Sequence, residues 1–259
     1  MHLYFIRHGQ SENNALWKMM GTSQYRSEDP PLTLLGKKQA DAAGLFLSQL
    51  STVEHTKNTI QENNITHLYT SLMIRAVETA TVINQYLHLP LQAWEVIHEC
   101  GGIYVDDATS AKPIGLAGKN RTFFETHFPK LYLPQHLNHQ GWWNRPYEET
   151  HQVIDRAKRF VTDLLKRHGN TDDCVAIISH GDFYQRVMAV LLRATAYNRD
   201  FSEMTTLSNH LQEEPIEGLP PHYWFIINNA AISRVDFHGD YIEFVYLNRT
   251  DFMPKTLIT

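Results

Sequence analysis

Residues 1–11 read Met1-His2-Leu3-Tyr4-Phe5-Ile6-Arg7-His8-Gly9-Gln10-Ser11. The apolar run predicts a first β-strand that stops at a glycine and carries Arg7 and His8 to its end. No basic stretch precedes the apolar residues and a charge arrives at Arg7, so a strand is expected and not a secretory leader. A second segment ends in the same way: the apolar run Cys174 to Ser179 leads into His180-Gly181. One His-Gly pair would be weak. Two at strand ends matter, because in open α/β sheets ligands gather beyond the carboxyl ends of the strands.

Working outward, a polar loop is expected after Gly9, running through Pro30-Pro31. Thr33 then caps a helix that presents Ala40, Ala43 and Leu47 and ends near Leu50. Residues 51–64 read as a loop or a frayed helix end. A strand from Ile65 to Thr70, a helix from Met73 to Tyr86, and a strand from Leu91 to Ile97 follow. A long helix is expected from Glu148 to Arg167, then the 173–179 strand and a helix from Asp182 to Leu192. Short strands at 224–227, 231–237 and 241–247 close the chain, the last after a turn at His238-Gly239-Asp240.

Strands alternating with helices predict an α/β fold, a three-layer α/β/α sandwich with a mostly parallel sheet and an antiparallel addition at the end. All 259 residues are expected to form a single domain. Two inserts, 101–146 and 195–220, lose clear periodicity and are expected to form a cap. The first is rich in aromatics (Phe123, Phe124, Phe128, Tyr132, Trp142, Trp143), unlike a disordered linker. The second reads either as a lid or as a subunit contact in a homodimer.

Composition narrows the function. The formal charge is −5 with no Lys/Arg-rich block, which argues against nucleic acid as a partner. No run of 18 apolar residues exists, so no membrane span is expected. An acidic protein that binds an anion must concentrate positive charge locally, and the placement of single arginines becomes the question. Fifteen histidines invite a metal reading, but HExxH, CxxC and paired His/Cys spacings are absent, so neither metal nor cofactor is expected. His55, His88, His127, His136, His139 and His168 read as solvated or capping. Cys174 lies in an apolar run and reads as a buried thiol, consistent with a reducing, cytoplasmic setting.

The predicted strand ends bring together Arg7, His8, His180, the second arginine Arg75 and the carboxylate Glu99. Here the sequence resembles the histidine phosphatase superfamily, which includes phosphoglycerate mutases and fructose-2,6-bisphosphatases. Arg7-His8-Gly9-Gln10-Ser11, with Asn14 six residues after the histidine, resembles the family's signature motif. Asp29, Leu32, Thr33, Gly36, Gln39 and Ala40 resemble the following helix start, and Ser71, Arg75, Ala76, Thr79 and Ala80 the segment with its second arginine. Glu99 falls where the family places its acid, and Ser179-His180-Gly181 resembles the second-histidine motif. The resemblance covers most of the chain apart from about 104–145 and 195–220. It implies a phosphoglycerate mutase-like fold and phosphoryl transfer through a phosphohistidine at His8.

The same residues suit that chemistry on physical grounds. Phosphoryl transfer spreads negative charge over equatorial oxygens, so preorganised donors lower its barrier. Arg7 and Arg75 offer planar forks to those oxygens, and a protonated His180 would add a third cation. His8 must be neutral at its attacking nitrogen, which requires its other nitrogen to be fixed, and the Gly9 neighbourhood is placed to do so. Glu99 is expected to protonate the leaving oxygen and then to activate water.

Asp182 is the rival acid, since the acid-phosphatase branch places an Asp after its second histidine, although here Gly181 intervenes. Gln10, Ser11, Asn14 and Gly181 are expected to bind substrate, with loop closure as the alternative for the first three. Arg145, beside Trp142 and Trp143, is expected to read a substrate anion. The expected partner is a small phosphorylated metabolite cleaved without a metal. A phosphoglycerate mutase is disfavoured because Cys100-Gly101-Gly102 follows Glu99 in place of a basic-aromatic motif. A phospho-ligand scaffold is disfavoured because it needs no nucleophile.

Overall fold

The computed structural model describes residues 1–22, 25–50, 64–107, 112–197, 224–239 and 241–259, with no side-chain description for 193–197. Its centre is a seven-stranded sheet. Five strands run parallel: β1 (His2–Arg7), β2 (His67–Thr70), β3 (Leu91–Ala93), β6 (Leu131–Tyr132) and β7 (Cys174–Ser179). Two join antiparallel, β8 (Ile232–His238) against β1 and β9 (Tyr241–Arg249) against β8. The order is β6-β3-β2-β7-β1-β8-β9. β4 (Tyr104–Asp106) and β5 (Pro113–Gly115) form a separate hairpin.

Six helices are described: α1 (Glu12–Met20), α2 (Leu34–Ser48), α3 (Ile74–Leu87), α4 (Arg121–His127), α5 (Thr150–His168) and α6 (Gly181–Tyr197). The alternation of side chains along β1 explains the layers. Tyr4 and Ile6 face a core with Ala43 and Leu47 of α2 and Val77, Ala80 and Ile83 of α3. Leu3 and Phe5 face the opposite core, built on Val153, Phe160 and Leu164 of α5 and Val187 and Leu191 of α6. The α/β fold and the parallel sheet with its antiparallel end therefore agree with the sequence reading.

Thr33 caps α2 as expected, accepting from Gly36 N at 3.0 Å, a contact typically worth about 1 kcal/mol. The polar loop after Gly9 is a helix for half its length. Ser11 and Asn14 form a capping box at the start of α1, and none of its residues is buried, which is why no apolar period announced it. The strand expected over 91–97 stops at Ala93, and Glu95–Ile97 form one 3₁₀ turn. Residues 224–227 are not a strand. Glu148 lies before the helix it was expected to begin, since the cap of α5 is Glu149.

The 101–146 segment carries β4, β5, α4 and β6, and Phe124, Leu131, Leu137, Trp142 and Trp143 pack into the main core. The predicted loop at 51–64 lies outside the described residues except for residue 64. The 195–220 excursion also lies outside them except for 195–197, which end α6. Asp240 of the expected turn is outside them too. Among the described residues no helix is long and apolar enough to cross a membrane.

Candidate active site

The carboxyl ends of the parallel strands do converge. Arg7 ends β1, His180 follows β7, and Ser71 follows β2. A cleft of about 560 Å³ opens above them, lined by Arg7, His8, Ser11, Asn14, Arg75, Glu99 and Gly181 among others. A larger depression of about 960 Å³, between the end of α3 and β6, holds none of the predicted site residues.

His8 is the most tightly placed of the group. Its backbone N–H donates to Ser179 O at 2.9 Å, and its carbonyl accepts from Ala230 N at 3.2 Å and Asn229 Nδ2 at 3.1 Å. Its ring Nδ1 lies 2.7 Å from Gly9 O. A carbonyl only accepts, so Nδ1 carries the proton and the lone pair is left on Nε2. Burial, then the charges of Arg75 and Arg7, push the His8 pKa well below its ordinary value. The ring is neutral with its lone pair on Nε2.

Arg75 stands in the first turn of α3 and donates from Nε to His8 Nε2 at 3.1 Å. Asp29 lies 4.0 Å from its Nη1 and accepts from Ile74 N, tying the 25–33 stretch to the start of α3. Burial pushes the Asp29 carboxyl up to about 6 in spite of Arg75. Arg7 donates from Nη1 to Ile227 O at 2.6 Å, while its Nε is buried without a partner.

His180 lies beneath the cleft floor, fully buried, with its ring centroid 5.1 Å from that of His8. Its Nε2 is 2.9 Å from Ser71 Oγ, and its Nδ1 has no partner. Burial, with Arg75 and His8, drives its pKa well down, so the His180 ring is neutral and the third cation that a protonated His180 would add is not present.

Glu99 sits against the start of α6. Its Oε1 accepts from Cys100 N and Phe183 N, both at 2.9 Å, and its Oε2 from Asp182 N at 3.3 Å. A helix N-terminus offers such unpaired N–H groups and favours a carboxylate. The turn after Glu99 requires its two glycines: Gly101 and Gly102 have φ of +84° and +75°, and a side chain on Gly102 would collide with the Trp143 ring. Asp182 also lines the cleft, and burial with the neighbouring Glu99 pushes its carboxyl up to about 6.

Behind Glu99 is a buried ion pair. Arg156 of α5 grips Glu148 through Nε and Nη2, both at 2.7 Å, and donates from Nη1 to Val96 O and His98 O, both at 2.8 Å. These carbonyls belong to the segment that delivers Glu99. Burial alone would raise the Glu148 carboxyl, but the His98 ring 3.5 Å away and the hydrogen bonds of Arg156 outweigh it and hold it near 2.

The other predicted residues divide. Ser11 and Asn14 line the cleft while also closing the α1 cap, and Asn14 Oδ1 accepts from Asn229 Nδ2 at 3.1 Å. Gln10 closes the loop, receiving Thr33 Oγ1 on its side chain and giving its N–H to Gln39. Gly181 lines the cleft, and a methyl there would sit 3.4 Å from Arg7 Nε, an ordinary contact. Arg145 stacks on Trp143 and lines a different depression with Glu148 and Arg159.

Sequence reasoning missed Arg26, Asn13, Trp17 and Trp224, which also line the cleft. Among the described residues, two groups could hold a metal, His67-His168-Asp173 and Asp236-His238-Glu243, and neither lines the cleft. His168, expected to be solvated, is buried between Asp173 at 2.8 Å and Tyr69 at 3.1 Å.

The profile of the histidine phosphatase superfamily (branch 1) matches residues 3–211. The chain belongs to the histidine phosphatase superfamily. A 6-phosphofructo-2-kinase/fructose-2,6-bisphosphatase of Aquarana catesbeiana is 22% identical over 194 residues, which is 75% of this chain and 33% of that protein. The chain thus spans about a third of that relative's length. The YhfR structure of Bacillus stearothermophilus has the same fold, with a TM-score of 0.54 and 20% identity, over 97% of this chain and 98% of its own. So does mycobacterial glucosyl-3-phosphoglycerate phosphatase, with a TM-score of 0.54 and 17% identity, over 96% of this chain and 99% of its own.

Proposed function

We propose that this histidine phosphatase superfamily chain hydrolyses a small phosphomonoester through a phosphohistidine at His8. The observation that carries the reading is a pair of orphaned donors beside the nucleophile. Arg7 Nε is buried with no partner. Ser71 Oγ accepts from Met73 N and has a proton to give to His180 Nε2, which leaves the one ring N–H on the unpartnered Nδ1. Buried donors without acceptors are costly and rare. An anion beside His8 Nε2 satisfies both.

In the first step His8 Nε2 gives its lone pair to phosphorus as the P–O bond to the leaving group breaks. Glu99 hands a proton to the departing oxygen. In the second step Glu99 takes a proton from water, whose oxygen attacks phosphorus, and the P–N bond breaks to regenerate neutral His8. Arg7 and Arg75 hold the equatorial oxygens throughout, providing positive charge where the transition state spreads negative charge, and neutral His180 adds an N–H donor. Asp182 sets a second carboxyl beside Glu99, and burial with that neighbouring charge raises Asp182 to about 6.

Hydrolysis of p-nitrophenyl phosphate in the presence of EDTA tests the reading. Turnover that survives EDTA and disappears in His8→Ala supports it. Turnover that survives His8→Ala removes it.

A further inference from the structure

The cleft is larger than a phosphoryl group needs. At about 560 Å³ it lies within the range of small-molecule sites, about 300–1,000 Å³. Beyond the phosphoryl end its wall includes Asn13, Trp17, Arg26 and Trp224, and the two tryptophans are largely exposed at the rim.

Arg26 differs from an ordinary surface arginine. It is half-buried and fixed from one side, donating from Nη1 to Tyr104 OH at 2.5 Å with its Cζ 4.2 Å from the centre of that ring. Tyr104 is itself braced edge-on by Tyr147, with centroids 4.8 Å apart. Among the described residues no carboxylate pairs with Arg26, because Glu99 is occupied by the amides at the start of α6 and Asp29 faces Ile74 and Arg75. A guanidinium has five N–H donors, and Tyr104 takes one. In a chain of net charge −5, three arginines (Arg7, Arg26, Arg75) share one cleft, and such like charges favour an anionic ligand between them.

We infer that Arg26 is a second anion-binding residue of the cleft. It takes a carboxylate or phosphate carried by the leaving group of the phosphomonoester, while Arg7 and Arg75 hold the phosphoryl group to be transferred. Arg26 thus fills the role that the sequence suggested for Arg145. This deepens the proposed phosphatase function and rests on it.

Three substrates that differ at one carbon test the inference: glycerol 3-phosphate, 3-phosphoglycerate and glycerol 1,3-bisphosphate. The readout is the ratio of kcat/KM for each anionic substrate to that for glycerol 3-phosphate. In the wild-type protein at least one ratio should be on the order of tenfold or more, as for one charge-assisted hydrogen bond, and the larger of the two identifies the anion. Arg26→Ala should bring that ratio close to one through KM, and Arg26→Lys should restore part of it. An arginine that only ties its loop to Tyr104 would lower turnover of all three alike and leave the ratio intact, and that result overturns the inference.

Calorimetry on the His8→Ala protein with the same compounds separates this failure from failure of the phosphatase reading. Tighter binding of the anionic compounds that is lost with Arg26, in a protein whose wild type shows no turnover, removes the reading and keeps the subsite. Turnover of glycerol 3-phosphate with no advantage from a second anion does the reverse.

Discussion

Arg75 Nε and His8 Nε2 lie 3.1 Å apart, so the arginine that lines the cleft also covers the lone pair on which the proposed attack depends. The bond has two effects. It fixes the ring plane from the side opposite Gly9 O, and with burial it keeps the imidazole from accepting a proton. Substrate oxygens must replace Nε2 as the acceptor for Arg75 before attack can occur.

That exchange depends on the shape of the guanidinium, since its charge alone does not supply a fork. Arg75→Lys retains the charge and loses the fork. We expect kcat/KM for p-nitrophenyl phosphate to fall about 10²–10³-fold, as for loss of one preorganised transition-state donor, with little change in Tm. A fall of less than fivefold in steady-state kinetics would contradict it.

The pH profile follows from two opposite shifts. The His8 pKa is depressed, so its neutral, nucleophilic form persists as pH falls through the ordinary 6.5. The Asp182 carboxyl is raised to about 6, so Asp182 keeps its proton beside Glu99 below that pH and gives it up above. kcat/KM should therefore be greatest below pH 6 and decline as pH rises through about 6. An optimum at pH 8 would show that one of these assignments is wrong.

Glu99 and Asp182 can be told apart by leaving group. A general acid is worth about 10²–10⁴-fold when the leaving oxygen is basic and much less when it is not. Glu99→Gln should cost that much on glycerol 3-phosphate and under tenfold on 2,4-dinitrophenyl phosphate. Asp182→Asn should move the descending limb of the pH profile with a smaller loss on both. If the two variants exchange these behaviours, Asp182 is the acid.

The pair behind Glu99 is a stability element. Glu148→Ala leaves the Arg156 guanidinium buried and uncompensated, a change that costs about 3–5 kcal/mol and should lower Tm by on the order of 10 °C. Burial and Arg156 depress the His98 pKa to about 4, so His98 is neutral in the fold while it would charge below 6.5 in the unfolded chain. Its contribution is complete above pH 6.5 and declines as pH falls towards 4. Glu148 is held near 2, so its contribution is complete above 4.5 and is lost below that. Denaturant titrations at pH 7, 5 and 4 should show falling stability in the wild type and a flatter dependence in His98→Phe.

The framework was legible because strands and arginines with His-Gly ends carry their own signals. β1, β7, the Thr33 cap and the convergence of Arg7, His8, Arg75 and Glu99 all followed from local patterns, and Gly9 O as the partner of His8 followed from the requirement for a neutral nitrogen. What escaped is tertiary. α1 buries none of its residues, so it shows no apolar period, and the Ser11–Asn14 spacing was its only mark. β6 is two residues long and exists because β3 offers an open edge. Glu148 read only as the start of a helix, since the partner eight residues on is brought to it only by folding. Arg26 lines the cleft and Arg145 a different depression for the same reason: each lies in a stretch without period, and only the packing of Tyr104 and Trp143 decides which one faces the cleft.

Rapid-quench capture of the enzyme during turnover of a labelled phosphomonoester addresses the central claim directly. A covalent phosphate that is labile in acid, stable in base, confined to the peptide containing His8 and formed no more slowly than product appears is the predicted result. Hydrolysis at full rate with no phosphate ever found on His8 would contradict the account.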